Sequence, residues 1–245
     1  MMKNKKVKYL SKTFNNLQLD QRITQSHKEE TTKMLLIQPF LEALGFVTLD
    51  NLIHEYSVKS GSVDIAVRLR PQSSSPDIFI ECKHTDNNLG AKVINQLNKY
   101  CDTTSTVKLG ITTNGVKYDF FIKNNKEWSH MTPFFSFNLK DYDNSDLEVL
   151  SLFCKDELNI PTILQYAEKV YFEQTFENAM VGLVQNPTHN FLKEIYKMMG
   201  GKVANDRIKK EISVLLNVYS FSVFHIEELT PDPQNVGPCL PGYIN

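Results

Sequence analysis

From Ser26 onward, apolar residues recur near helical spacing: Leu35, Leu36, Phe40, Leu41 and Leu44, before Gly45 stops the segment. Ser26 followed by Glu29 has the form of a capping box, and Pro39 predicts a kink or two abutting helices. The period then changes. Ile53–Val58 alternates in part, Lys59-Ser60-Gly61-Ser62 is turn chemistry, and Val63–Leu69 alternates apolar and polar as a half-buried strand does. Pro71 to Pro76 reads as a loop, and Ile78–Lys83 is short and apolar, like a central strand. Leu89–Tyr100 predicts an amphipathic helix. Val107–Thr113 and Val116–Ile122 predict strands joined at Asn114-Gly115, and Phe134–Leu139 predicts an edge strand. Beyond Asp141 the pattern is helical, with Leu147, Leu150, Leu152 and Phe153 opening one segment and 163–183, 191–199 and 208–224 following. These later stripes read as helical core or a dimer face.

The pattern divides the chain into a basic arm or loosely attached helix (1–25), an α/β domain (26–140), a helical C-terminal region (141–229) and a Pro-rich tail (230–245). The fold class expected is α/β: a mixed central sheet flanked by helices, followed by helices. The 245 residues carry a net charge of −1, which excludes binding nucleic acid by bulk charge alone. The total hides a split, however. Residues 1–140 hold 19 basic and 13 acidic residues, or +6, and residues 141–245 hold 8 and 15, or −7. The first part can attract a phosphate backbone. The four cysteines form no CxxC pair, the N-terminus lacks the apolar core of a secretory signal, and no apolar run reaches the length of about 18 residues that spans a membrane. A reducing, cytoplasmic setting without membrane contact is the expectation.

The chemistry concentrates between Asp64 and Lys83. Strand periodicity puts Glu81 and Lys83 on one face and turns Cys82 toward the core. If the strands carrying Asp64 and Glu81 pair antiparallel, two carboxylates and an ammonium converge. Close carboxylates repel unless a cation offsets them. Hard oxygen ligands suit Mg²⁺, with Mn²⁺ as a substitute, and such an ion with a nearby lysine suits phosphodiester hydrolysis. The plainer reading is a surface Glu81–Lys83 pair with Asp64 capping a turn. Gln96 and Tyr100 share a helix face, Glu29 opens the first apolar helix, and Glu55 is a second candidate acid on the preceding strand. The six histidines show no ligand spacing, with His84 nearest the site. Asn114 reads as a turn residue, and Trp128 with Phe134, Phe135 and Phe137 reads as core rather than a base-stacking platform.

In order, these residues resemble the PD-(D/E)xK nuclease superfamily, and within it the N-terminal nuclease domain of type I restriction enzyme motor subunits. The resemblance rests on Glu29-Glu30-Thr31-Thr32-Lys33, Ile37-Gln38-Pro39 through Leu44-Gly45, Gly61-Ser62-Val63-Asp64, Glu81-Cys82-Lys83, Gln96 through Tyr100, and Thr113-Asn114-Gly115. It covers roughly residues 26 to 125. Val63 stands where the superfamily's name has proline, and Lys33 where the family has arginine. No GxxxxGK[ST] loop follows, so no helicase motor is implied. The resemblance implies a restriction-endonuclease-like sheet and an Mg²⁺-dependent endonuclease acting on DNA, with RNA left open. Asp64, Glu81 and the Cys82 carbonyl would hold the metal, and Lys83 would position or activate water. Glu29 would either bind metal through water or orient Lys83, and Gln96 and Tyr100 would position substrate or the lysine. The alternatives are a nucleic-acid-binding module that does not cut, or a nuclease subunit active only within a larger complex. In the latter, the acidic helical region would serve a homodimer or larger assembly.

Overall fold

The computed structural model describes residues 2–17, 19–26, 28–70, 72–123 and 132–224. Trp128, His27, His130, His225, Cys239 and the Pro-rich tail lie outside them. The chain divides into two compact units, Met1–Tyr171 and Phe172–Asn245.

The first unit is built on one mixed sheet of six strands in the order β1 to β6: β1 (Leu52–Val58), β2 (Gly61–Val67), β3 (Ile78–Cys82), β4 (Leu109–Thr113), β5 (Lys117–Ile122) and β6 (Phe135–Asn138). All neighbouring pairs are antiparallel except β3 and β4, which run parallel. That one parallel pair needs a crossover, and α6 (Ala91–Asp102) supplies it. Every residue of β3 and β4 is buried, which explains why the two strands read as continuous apolar runs. The α/β class expected from the sequence is therefore present, with helices flanking a mixed sheet and a helical C-terminal region after it.

Two apolar layers cover the sheet. Val93, Ile94, Leu97, Tyr100 and Cys101 recur along α6 and are buried, and most of them pack with Ala66, Phe79 and Phe121. The larger layer gathers Ile65, Ile78, Ile80, Cys82, Ile111, Tyr118 and Phe120 against helices from both ends of the unit. Phe40, fully buried, stacks on Tyr118 at 3.7 Å between ring centroids and on Phe14 at 5.5 Å. Phe134, Phe135 and Phe137 belong to this core, as expected from the sequence.

Three local expectations change. Residues 2–25, read as an arm or a loosely attached helix, form α1 (Met2–Asn15) and α2 (Leu19–Gln25). Val7, Leu10, Phe14 and Leu17 bury in the main core. Their spacing of three and four is an apolar stripe, which the lysines on the other face outweigh in average polarity. Ser26 is not a helix cap: its hydroxyl donates to the Arg22 carbonyl, and α3 (Glu29–Thr32) begins after Lys28, whose N–H donates to Thr31 Oγ1 at 3.0 Å. The break expected at Pro39 takes the form of a π-helical segment, Lys33–Ile37, running into α4 (Gln38–Ala43); Pro39 has no N–H to donate, and the Leu35 carbonyl four residues back accepts Arg22 Nη1 at 2.8 Å.

The short α5 (Thr48–Asn51) precedes β1. The first unit also extends past the boundary expected near residue 140. Leu147 and Leu150 of α7 (Asn144–Leu150), Phe153, and Ile163, Ala167 and Tyr171 of α8 (Ile160–Gln185) all bury in the same core. The second unit contains the rest of α8, α9 (His189–Met198) and α10 (Asp206–Phe224). Thr188 caps α9, accepting from the Phe191 N–H at 3.2 Å. Among the described residues no helix is long and apolar enough to cross a membrane.

Truncating Phe40, which bridges α1 and β5, opens a large cavity. Phe40→Ala should lower the unfolding free energy by about 3–5 kcal/mol, read as a shift in the urea midpoint with unchanged slope. A loss under about 1 kcal/mol would contradict this packing.

Candidate active site

The β2–β3 register pairs Ile65 with Ile80, and one step further brings Asp64 opposite Glu81. The two oxygens of Asp64 have different partners. Oδ2 accepts the backbone N–H of Cys82 at 2.7 Å, and Oδ1 accepts Lys33 Nζ at 2.7 Å. Glu81 is 1% exposed, so it is not part of a surface pair. Its Oε1 accepts Lys83 Nζ, and its Oε2 is buried without a hydrogen-bond partner. The Lys83–Glu81 contact places both side chains on one side of the sheet, as strand periodicity requires. Cys82, fully buried, faces the core and is a free thiol, like Cys101 and Cys154.

Burial sets the electrostatics. It pushes the Glu81 carboxyl up to about 7; the Lys83 hydrogen bond opposes this and the charge of Asp64 adds to it. Burial alone would lower both lysines. The bond to Glu81 and the charges of Glu81, Asp64 and Glu29 raise Lys83 instead, and the bond and charge of Asp64 do the same for Lys33. Both ammonium groups therefore stay protonated at neutral pH. The Cys82 thiol is pushed well above its ordinary range by burial.

The other expected residues are distributed around this centre. Glu29 reaches Lys33 at 3.6 Å, so its direct partner is Lys33 rather than Lys83. Glu55 also reaches Lys33, at 3.3 Å, and accepts the Ser62 hydroxyl at 3.4 Å. Its φ of 51° is unusual for a non-glycine residue, and such strain clusters at functional sites. Gln96 donates to Tyr100 Oη at 3.1 Å, and Tyr100 lies against Gly61 at the start of β2. Gln96 and Tyr100 thus form their own pair. His84 is held structurally: its Nε2 donates to the Ser26 carbonyl at 2.7 Å while Nδ1 accepts the Asp86 N–H at 3.2 Å. Asn114 is the turn residue expected, accepting from Val116 and Lys117. It also ties the turn to the carbonyls of Thr85 and Asn87, just after the Glu81 strand.

Two residues at the site carry no clear signal in the sequence. In the sequence Lys33 stands out only as a lysine where the family has arginine. Yet it stands four residues after Glu29 and three after Glu30, a spacing that marks helical ion pairs. Thr112 gives no local signal. The registers align Glu81, Thr112, Asp119 and Ser136 across four strands, a polar row in a buried sheet. Thr112 Oγ1 is buried without a partner, while Asp119 accepts from Ser136 and Lys117. Gly115 makes the close approach that seats the Lys33 segment. With φ at 82°, a Cβ there would stand 2.9 Å from both Leu36 Cβ and Thr32 Cγ2. Among the described residues no three His, Cys, Asp or Glu side chains are grouped to hold a metal ion.

The fold and site define a mixed-sheet domain with buried carboxylates and lysines at the junction of two antiparallel strands. Residues 28–133 match the family model described as the Type I restriction enzyme R protein N terminus. Among solved structures, a type IIG restriction endonuclease, BpuSI, is similar at 13% identity and a TM-score of 0.35, over 65% of this chain and 20% of that one. The chain thus spans about a fifth of that protein's length. No curated protein matches the sequence.

The position of Glu81 makes stability depend on pH in a defined direction. A carboxyl raised from its ordinary 4.5 to about 7 binds its proton more tightly when folded. Its contribution is fully present below the unfolded value and is lost as pH rises to about 7. In EDTA, wild type should lose on the order of 3 kcal/mol relative to Glu81→Gln across that window, measured by urea unfolding at each pH. Parallel pH profiles for the two proteins would refute the assignment.

Proposed function

We propose that this chain is a cytoplasmic, divalent-metal-dependent endonuclease that hydrolyses DNA phosphodiester bonds. The observation that carries the reading is Glu81: nearly inaccessible, bonded through one oxygen to Lys83, with its other oxygen buried and unpartnered beside Asp64. Leaving such an oxygen unsatisfied costs about 1–3 kcal/mol or more, and a cation is a fitting partner for it. The donor set fits Mg²⁺ or Mn²⁺, since Asp64, Glu81 and the Cys82 carbonyl are hard oxygens. With no third side-chain ligand grouped among the described residues, water and a phosphate oxygen would complete the shell. When bound, such an ion polarises the phosphoryl group and lowers the pKa of a coordinated water.

The chain's own residues supply the rest. The Cys82 N–H orients Asp64, so that carboxylate is set by the backbone of β3 rather than by side-chain packing alone. Lys83, protonated and tethered to Glu81, presents a positive charge where negative charge develops on phosphorus. Glu29 adds negative charge behind both. The Gln96–Tyr100 pair is a candidate anchor for the substrate backbone. The positive balance of residues 1–140 favours approach of a polyanion. The acidic helical half is the candidate surface for a second copy or a larger complex. A second reading, a domain that binds DNA without cutting it, draws on the engagement of Asp64 Oδ1 by Lys33 rather than an open ligand position.

The test incubates the protein with linear, circular and single-stranded DNA and with RNA, in Mg²⁺ or EDTA. Lys83→Ala should reduce Mg²⁺-dependent cleavage at least about a hundredfold with an unchanged circular dichroism spectrum. Undiminished cleavage by that variant removes Lys83 from the mechanism. DNA binding without cleavage by wild type favours the second reading.

A further inference from the structure

Among the described residues of the first unit, Lys33 has four carboxylates within ion-pair distance. Its residue is 8% exposed, and Nζ lies 2.7 Å from Asp64, 3.3 Å from Glu55, 3.4 Å from Glu30 and 3.6 Å from Glu29. One ammonium thus faces four carboxylates. The partners are graded in exposure, with side chains 13% exposed at Asp64, 37% at Glu29, 65% at Glu55 and 77% at Glu30. The innermost partner, also the closest, is the proposed metal ligand.

The ammonium cannot simply move away with its helix. The Lys33–Ile37 segment is backed by the Gly115 turn, which already stands against Thr32 and Leu36. It can, however, swing on its four-carbon stem toward the outer acids. An arginine would grip a carboxylate as a rigid fork, whereas lysine offers a point charge that moves among several acceptors. Asp64 does not need Lys33 for its orientation, because the Cys82 N–H holds the other oxygen.

We infer that Lys33 is a built-in monovalent cation that occupies the Asp64 side of the site and competes with the divalent ion. Loading the site passes the ammonium from Asp64 to Glu29, Glu30 and Glu55. The inference rests on the proposed metal-dependent reading and assigns Lys33 the task of setting how tightly that site takes its ion. As a positioning residue, Lys33 would weaken metal affinity, the opposite of what a merely supporting contact would do.

The test is calorimetric titration of Mn²⁺ into the metal-free full chain: wild type, Lys33→Met, Lys33→Arg and Glu81→Ala. Lys33→Met removes the competing charge and leaves Asp64 held by the backbone, so it should bind Mn²⁺ at least about tenfold tighter. Lys33→Arg keeps the charge and should bind no tighter than wild type, and Glu81→Ala should lose binding. Binding in Lys33→Met alone, with wild type silent, would support competition in its strongest form. If wild type binds Mn²⁺ and Lys33→Met, natively folded, binds equally or more weakly, the inference is overturned while the metal-site reading stands. If no variant binds Mn²⁺, both fall. Should Lys33→Met fail to fold, NMR of the Lys33 ammonium in wild type decides. Saturating Mg²⁺ must shift or broaden that signal, and an unmoved signal overturns the inference.

Discussion

Asp64 ties three elements of the domain together through one carboxylate. It stands on β2, accepts the Cys82 N–H of β3 and receives the Lys33 ammonium from the helix that begins at Glu29. Both oxygens are engaged, which is the condition for keeping a charge in a mostly buried place. The β2–β3 junction, the π-helical turn and the Gly115 contact all serve this meeting point. Without Gly115, the segment carrying Lys33 would have to shift outward, because a Cβ there overlaps Leu36 and Thr32.

Glu81 is the counterpoint. It sits in the middle of a sheet whose neighbouring positions are Phe79, Ile80 and Cys82, yet one of its oxygens lacks a partner. Packing alone does not account for a carboxyl there, since an apolar residue of similar size would avoid the desolvation cost. The row that continues through Thr112 and Asp119 shows the same departure from a dry core. Local rules are broken together in one small region, and such concentrated exceptions mark function more often than chance. The strained backbone at Glu55 lies in the same neighbourhood.

The second unit has a different character. Within it, Leu192 and Ile212 are buried, while Phe172, Phe176, Met198, Met199 and Val203 are exposed. Among its described residues, ion pairs run short-range along a helix, such as Arg207–Glu211 and Lys209–Asp206. Pairs of this kind stabilise helices by only tenths of a kcal/mol. The positive balance belongs to residues 1–140; residues 141–171, which complete the first unit, hold 2 basic and 7 acidic residues and offset most of it.

Periodicity along the chain determined most of the element types, the amphipathic helix that ends at Tyr100 and the placing of Glu81 with Lys83 on one side, because strand and helix repeats are local geometry; that the helix is a crossover between parallel strands came only with the sheet pairing. Periodicity also placed Gln96 and Tyr100 on one helix face. The buried role of α1 was present in the spacing of Val7, Leu10, Phe14 and Leu17, but the lysines between them obscured it. What only the tertiary structure decided is which charges meet. Lys33 and Asp64 are 31 positions apart, and their contact depends on a helix end docking over a strand junction. The unpartnered oxygens of Glu81 and Thr112 are likewise invisible in sequence. Satisfaction of a buried polar atom is a property of everything around it, and no local pattern encodes those surroundings.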